Sequence, residues 1–557
     1  MRLSPCFPRK FLLFSLLLVT LSLARPAMAQ FVAESLTDAI QQRIEFDEGS
    51  FSGDRGDDQL LKLFEFYSAR HYAPVWVTDS GINAKGKLMA ATLQECEVDG
   101  LIPQDYDAVG IQAKTGVSDM KGLADLEIRL SKALISYGHD LSAGRVQPNK
   151  VDRELYIYPE GPGPLELLNG AALAPDLASY LSDLAPQMDN YHRLKTKLAE
   201  YRLMQAAGGW VQVPEGETLK PGMSDPRVPV LRKRLIQSGH LDAQTASKIA
   251  PELTELYDDV LSAAVKQFQY QNGLTQDGVL GPNSMKTLNI PISERIKTME
   301  LNMERRRWME DDLGEKYIFV NLADFWLKVV DGPKTIHTAH VVVGKTYHRT
   351  PVFSQNMRYI VLNPYWNVPR SIAVNEYLPK LQSDPGVLAR QNISVMGQNG
   401  PVDPYSIDWN NVSKRGFNYR LRQDSGGRNA LGRIKFLFPN KHNVYIHDTP
   451  SKSLFKRTVR SFSHGCVRVE NPVDLAAVLL KDDERWSKKA ILDQISSGKR
   501  RTISLKTQIP VHITYLTAWV NKDGSVHFRN DIYGRDKRLA KALRNSHIVL
   551  QSAENQN

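Results

Sequence analysis

The sequence predicts a multidomain α+β chain: a helical scaffold, a small three-helix module, and a mostly β domain interrupted by a capping insertion. Three observations predict it. The chain has 557 residues, and a single core rarely grows past about 250–300 residues. Apolar spacing is helical up to about residue 290, then gives way to β-branched and aromatic runs from about residue 315. A hydrophobic content of 42% with 24% charged residues is ordinary globular composition and argues against a disordered chain.

The N-terminus reads as a secretory signal over residues 1–29. Arg2, Arg9 and Lys10 form a positive start, Phe11 to Ala24 is apolar, and Ala27-Met28-Ala29 supplies small residues before Gln30. The competing reading is a retained membrane anchor, but the apolar run has 14 residues, short of the roughly 20 that span a bilayer. Cys6 precedes the run, so a lipoprotein anchor is not indicated. The formal charge is +10, and removing the four cations of the leader leaves +6. That mild excess suits an anionic surface. No basic-aromatic cluster argues for nucleic acid.

Residues 30–215 are expected to be a helical scaffold domain. Leu60, Leu61, Leu63 and Phe64 recur at helical spacing, as do Leu126, Ile128, Leu130, Ala133 and Leu134, and then Leu194, Leu198, Tyr201 and Leu203. Val213 to Pro221 is polar and Pro/Gly-bearing, a linker signal. The module expected at 225–291 has three apolar faces: Val228, Leu231 and Leu235; Leu261, Ala264, Val265 and Phe268; and Met285, Leu288 and Ile290. Gly273-Leu274 and Asp277-Gly278-Val279-Leu280-Gly281-Pro282 punctuate it.

The third domain is expected at 315–500, followed by a C-terminal extension at 501–557. Tyr317 to Asn321, Phe325 to Val330, Thr338 to Val343, Arg358 to Leu362 and Val444 to His447 read as strands, with a turn at Asp331-Gly332-Pro333. Residues 371–430 are polar and irregular, too long for an ordinary loop, and suggest a lid or capping insertion. Asp474 to Leu480 reads as a helix, its Asp474 complementing the dipole of the first turn. Val511 to Val520 and Ser525 to Phe528 read as a hairpin around Asn521-Lys522-Asp523-Gly524, and Arg535 to Val549 as a basic helix.

Chemistry concentrates between Tyr445 and Pro472. Tyr445-Ile446-His447-Asp448 is followed, after 14 residues, by Ser463-His464-Gly465-Cys466-Val467-Arg468. A free thiol has a pKa of about 8.5, so it needs a base to act as a nucleophile at neutral pH. His447, at the end of a strand, can take the proton and return it to a leaving amine. Gly465 lets backbone N–H groups converge beside the thiol, where they can hold an oxyanion. Arg468 is a fixed cation two residues after Cys466, suited either to a substrate carboxylate or to stabilising the loop.

Bland readings compete. Cys96 and Cys466 could pair in an exported protein; Cys96, in a helix-like stretch, also suits a small buried residue. His442, His447, His464 and Cys466 could suggest zinc, but one thiolate without a CxxC pair makes a weak structural site. Cys466 could be a structural thiol, which leaves two histidines and a glycine beside it to coincidence.

The module, through Phe268, Gly273, Asp277, Gly278, Gly281, Thr287 and Leu288, resembles the peptidoglycan-binding domain 1 family. Ser463-His464-Gly465-Cys466 with the preceding His447 resembles the L,D-transpeptidase (YkuD) catalytic domain. Asn363-Pro364-Tyr365-Trp366-Asn367-Val368-Pro369, Leu431-Gly432-Arg433-Ile434-Lys435-Phe436, His447-Asp448-Thr449-Pro450 and the stretch from His512 to Trp519 are similar to its large YcbB-type subgroup.

The resemblance implies a periplasmic enzyme that forms 3→3 cross-links in peptidoglycan. Cys466 would attack the carbonyl of the third stem residue, expelling D-Ala, and an amine of a second stem would resolve the thioester. His447 would be base and then acid, oriented by the Asp448 carbonyl. His464 would line the pocket, and Gly465 and Cys466 would supply oxyanion donors. Arg468, Ser463, Tyr445 and Trp366 would contact substrate. No cofactor or metal is implied. The implied partners are stem peptides and other wall-synthesis enzymes, with the chain a monomer. A carboxypeptidase of the same stems would use the same residues, and a non-catalytic wall-binding protein would rest on the small module alone. A general thiol protease would want papain-like or caspase-like sequence around the nucleophile, which is missing.

Overall fold

A computed structural model describes residues 33–48, 55–247 and 250–554. The leader at 1–29 and Cys6 lie outside the described residues. No helix among the described residues is long and apolar enough to cross a membrane.

Helix Met120–Ala143 is the axis of the N-terminal region. Asp119 caps it by accepting from Gly122 N–H, and Leu123, Leu126, Leu130, Leu134 and Leu141 bury one face. Glu127, fully buried on the same helix, accepts from the N–H groups of Val75, Trp76 and Val77 and from the Tyr67 hydroxyl. Those bonds only partly offset its desolvation, and burial holds the carboxyl above the ordinary value. This core extends well beyond residue 215: it takes in Ile292, Ile296, Met299 and Met303, and Ala518, Val520 and Phe528.

The small module packs helices Val228–Gln237, Asp259–Gln271 and Pro282–Leu288 around Leu231, Leu235, Leu261, Val265, Phe268 and Leu288. A short helix, Ala243–Ser247, is added to the expected three. The third helix ends at Leu288, leaving Ile290 outside it. The linker stretch belongs to the module: Val213 and Leu219 are buried, and Leu219 and Leu280 exchange backbone hydrogen bonds. Its glycine turn has a structural reason. Gly278, at φ +71°, donates its N–H to Gln269 Oε1, and buried Gln269 holds Asp277 through Nε2 at 2.8 Å.

The third region is a nine-stranded sheet. Its order is Ser461–Ser463, Lys334–Gly344, Val467–Val469, Ile446–His447, Ile434–Leu437, Phe353–Leu362, Arg501–Thr514, Lys316–Asn321 and Trp326–Asp331. The last strand pairs back onto Lys334–Gly344, so the sheet closes on itself. Alternation sends Ile318, Val320, Leu327, Val329, Val341, Ile446 and Val467 into one core. Helix Pro472–Leu479 adds Leu475 and Ala476, with Asp474 in its first turn.

In this region two expectations change and a third gains detail. Arg501–Thr514, read as the start of an extension, is a central strand between Phe353–Leu362 and Lys316–Asn321. The late hairpin is shorter than expected: Ala518–Val520 pairs with Val526–Phe528, while Val511 to Thr514 stays in the main sheet. The 371–430 insertion is a folded subdomain. Val368, Leu381, Val395, Trp409, Phe417 and Leu421 make its core, beside a four-stranded sheet that runs from Trp366–Asn367 to Pro401–Val402. Ala373, Val374, Tyr377, Leu378 and Leu381 recur at helical spacing in it, while Val395, Trp409, Phe417 and Leu421 come singly between turns.

Candidate active site

Strands Ile446–His447 and Val467–Val469 run parallel, with Ile446 opposite Val467 and His447 opposite Arg468. Ile446 and Val467 are fully buried in the core, so the residues alternating with them, Tyr445, His447, Cys466 and Arg468, share the outer face. Lys435, opposite His447 on Ile434–Leu437, joins that face.

The Cys466 thiol donates to the Asn443 carbonyl at 3.7 Å. Burial pushes it above the ordinary thiol value, only partly countered by hydrogen bonds from the Tyr445 N–H and hydroxyl and by Lys435 and Arg468. The resting thiol is therefore protonated at neutral pH. The residue itself is half-buried, and it is not in a disulfide: Cys96 and Cys466 are both free, which rules out their pairing. Cys96 is buried, as the alternative reading has it, and desolvation raises its thiol to about 12.

His447 is buried, with Nδ1 2.5 Å from the Asp448 carbonyl oxygen. A carbonyl only accepts, so Nδ1 carries the hydrogen and Nε2 the lone pair. Burial, then the nearby Arg468 and Lys435 charges, push the imidazole down to about 3. It is a neutral base across the physiological range. No hydrogen bond joins it to Cys466 in this arrangement, in which the sulfur is engaged by Asn443 and Tyr445.

The Asp448 carboxylate serves the loop. It accepts from Arg433 N–H at 2.8 Å and Thr449 N–H at 2.7 Å, and pairs with Lys452. Gly432 makes room for it: φ is +58°, and a Cβ there would lie 2.2 Å from Asp448 Oδ2. The carbonyl that orients His447 is held in place by this network.

Gly465 has φ +111°, a conformation that favours glycine. Its N–H, however, donates to Ser463 Oγ at 3.1 Å, and Ser463 Oγ donates to the Cys466 carbonyl at 2.5 Å. The sequence reading made this N–H an oxyanion donor; here it is already engaged, and serving an oxyanion requires exchanging that bond. Ser463 is buried and braces the loop.

His464 meets the inserted subdomain and the turn at His348. Its Nε2 lies 2.7 Å from Glu376 Oε1 in the capping subdomain, and its ring is 5.0 Å from that of His348. Trp366, where the subdomain begins, and Cys466 both border the Tyr445 hydroxyl, whose pKa burial raises. His442, weighed as a zinc ligand, packs its ring on Tyr156 and Phe353.

Sequence reasoning missed Lys435, Asn443, Glu376 and His348. Lys435 sits 3.7 Å over the Tyr445 ring. Neither it nor Arg468 has a carboxylate partner among the described residues, and the Arg468 Nε has no partner at all. Strand alternation in Ile434-Lys435-Phe436 could have found Lys435; Glu376 carries no sequence signal.

Residues 315–511 match the family described as the L,D-transpeptidase catalytic domain, residues 62–198 the Scaffold domain, and residues 224–288 the "Putative peptidoglycan binding domain". A curated Haemophilus influenzae protein named "Putative L,D-transpeptidase" is 34% identical over 301 residues, 54% of this chain and 59% of that protein. The chain thus spans less than two thirds of that relative. Solved L,D-transpeptidases of Xylanimonas cellulosilytica and Stackebrandtia nassauensis align at 14% and 13% identity, each over 54% of this chain and over 99% and 96% of their own. Their TM-scores of 0.17 and 0.20 carry no argument.

Proposed function

The chain carries an L,D-transpeptidase catalytic domain and a peptidoglycan-binding domain, and on that premise we propose that it forms 3→3 cross-links in peptidoglycan through a Cys466 thioester. The observation that carries this reading is the shared outer face of Cys466, His447 and Arg468, with the His447 tautomer fixed by Asp448.

The donor is a tetrapeptide stem. Its arrival displaces the thiol from Asn443, and His447 Nε2 takes the proton as sulfur attacks the third-residue carbonyl. The C–S bond forms, the amide C–N bond breaks, and the proton passes to the departing D-Ala amine. A second stem's side-chain amine then attacks the thioester, His447 removes its proton, and the thiol is restored. A neutral thiol beside a neutral imidazole suits general-base attack triggered by substrate rather than a standing ion pair.

Arg468 and Lys435, both lacking carboxylate partners, suit the carboxylates of the stem. Tyr445 and Trp366 border the sulfur, and Ser463 and Gly465 shape its loop. The capping subdomain, tied to His464 through Glu376, is read as a cover for the bound stem. The N-terminal signal is read as export to the periplasm, where this substrate lies, and the whole sequence as the YcbB-type subgroup, monomeric, with other wall-synthesis enzymes as partners.

Incubation with tetrapeptide-bearing muropeptides tests the reading. It expects cross-linked dimers and free D-Ala. Tripeptide and D-Ala without dimers would make the chain a carboxypeptidase and overturn the transferase assignment. Turnover unaffected by Cys466→Ala would remove the catalytic role.

A further inference from the structure

Helix Ile292–Arg307 ends in three consecutive arginines, all buried. Arg305 pairs with Asp536 at 2.6 Å and Arg307 with Glu304 at 3.2 Å. Arg306, 4% exposed, has no carboxylate partner among the described residues. Its Nη1 meets only the sulfurs of Met188 and Met309, at 4.0 and 3.8 Å, and its Nε has no partner. Burial and the nearby Arg193 charge push it down to about 10, so it is still a cation at neutral pH. A buried charge without a counter-ion opposes folding.

Arg306 lines a groove of about 500 Å³ between the helical region, the sheet and the late hairpin. None of the active-site residues lines it. One wall is the outer face of Lys316–Asn321 and Trp326–Asp331, where Tyr317, Phe319 and Trp326 are only half-buried. Asn190 lines the groove too, and its Oδ1 is buried without a hydrogen-bond partner. An unpaired guanidinium, an unpaired acceptor and an aromatic wall thus converge on one space.

We infer that this groove is a second binding site, for a carboxylate carried on a peptide, and that its ligand is a wall stem peptide held apart from the one at Cys466. The choice of stem rests on the proposed function. The rim carries both signs, Asp189, Asp311, Asp312 and Asp324 against Arg193, Lys328 and Lys522, so it adds little net field, and the buried Arg306 guanidinium presents one cationic fork, which matches one carboxylate. The aromatic strip takes the ligand's aliphatic body, and the Asn190 carbonyl accepts from a peptide N–H. Such a site, framed partly by the helical region, would give the enzyme a hold on the wall that turnover at the thiol does not disturb.

The test is calorimetric titration of the full chain carrying Cys466→Ala with a soluble disaccharide-tripeptide, repeated with Arg306→Met added. The inference expects the second variant to bind one equivalent fewer, or that equivalent at least tenfold more weakly. The same muropeptide with its carboxylates amidated should lose that equivalent in the Arg306-containing chain. The unliganded Arg306→Met protein, in an otherwise native chain, should melt at a higher temperature and keep its turnover of tetrapeptide. Unchanged stoichiometry and affinity would overturn the inference. So would a lower melting temperature, which would make Arg306 a structural partner of the helix C-terminus, and so would displacement by inorganic phosphate as readily as by the muropeptide. Failure of the proposed function reads separately, as absence of D-Ala release by the native chain.

Discussion

His447 Nδ1 lies 2.5 Å from the carbonyl oxygen of Asp448, and the Asp448 carboxylate is simultaneously bound by the N–H groups of Arg433 and Thr449. One residue therefore orients the imidazole with its main chain and anchors the loop with its side chain. The arrangement fixes the imidazole tautomer and leaves Nε2 free to accept a proton. Asp448→Asn would replace two charge-assisted bonds by weaker or repulsive contacts. It should cost about 2 kcal/mol of stability and lower kcat with little change in KM. Thermal melting and steady-state kinetics check this.

Burial of neutral His447 makes stability fall in acid. Its folded pKa of about 3 lies below the unfolded value of about 6.5, so the unfolded chain binds the extra proton. The stabilisation is whole above pH 6.5 or so and is lost as pH falls toward 3, at up to about 1.4 kcal/mol per pH unit. His447→Gln should flatten denaturant-derived stability across that window by about one proton. An unchanged slope would mean that the imidazole is not held neutral.

A raised thiol pKa sets the alkylation profile of Cys466. Iodoacetamide labelling should climb to a single inflection above the ordinary thiol value of about 8.5. Fast labelling at pH 5 would instead indicate a thiolate–imidazolium pair. Carbapenems, as acyl donors of similar shape, should still acylate the thiol, because binding can bring sulfur to His447; intact mass spectrometry reads the adduct.

The Glu376–His464 pair, at 2.7 Å, ties the inserted subdomain to the loop that carries Cys466. Glu376→Ala should raise KM for stem donors several-fold with a smaller effect on kcat, and Glu376→Gln, which still accepts a hydrogen bond, should recover part of the loss.

At Gly465 the constraint is backbone rather than space: φ is +111°, and an added Cβ would meet nothing closer than Arg349 O at 3.7 Å. Gly465→Ala should cost about 1–3 kcal/mol of local strain and cut kcat/KM at least tenfold by shifting Cys466. A crystal structure with the loop unmoved and normal kinetics would contradict this.

The domain classes were legible because long amphipathic helices and alternating strands carry their own periods. The inserted subdomain was legible only at its Ala373 to Leu381 helix, since Val395, Trp409 and Phe417 join that helix only after the chain has turned several times. Cys466, His447 and Arg468 could be read from local spacing because two short parallel strands display them together. Glu376 reaches His464 across 88 residues of sequence, and no local pattern encodes that meeting. The engagement of the Gly465 N–H is not legible in the sequence, because its acceptor, Ser463 Oγ, meets it only in the folded turn.

The central claim is a thioester on Cys466. Intact-mass analysis of the protein mixed with a tetrapeptide donor and no acceptor tests it most directly. The account predicts an adduct of the donor minus D-Ala, localised to Cys466, released by hydroxylamine and missing in Cys466→Ala. Release of D-Ala by the native chain with no adduct at any time, and at the same rate in Cys466→Ala, would contradict it.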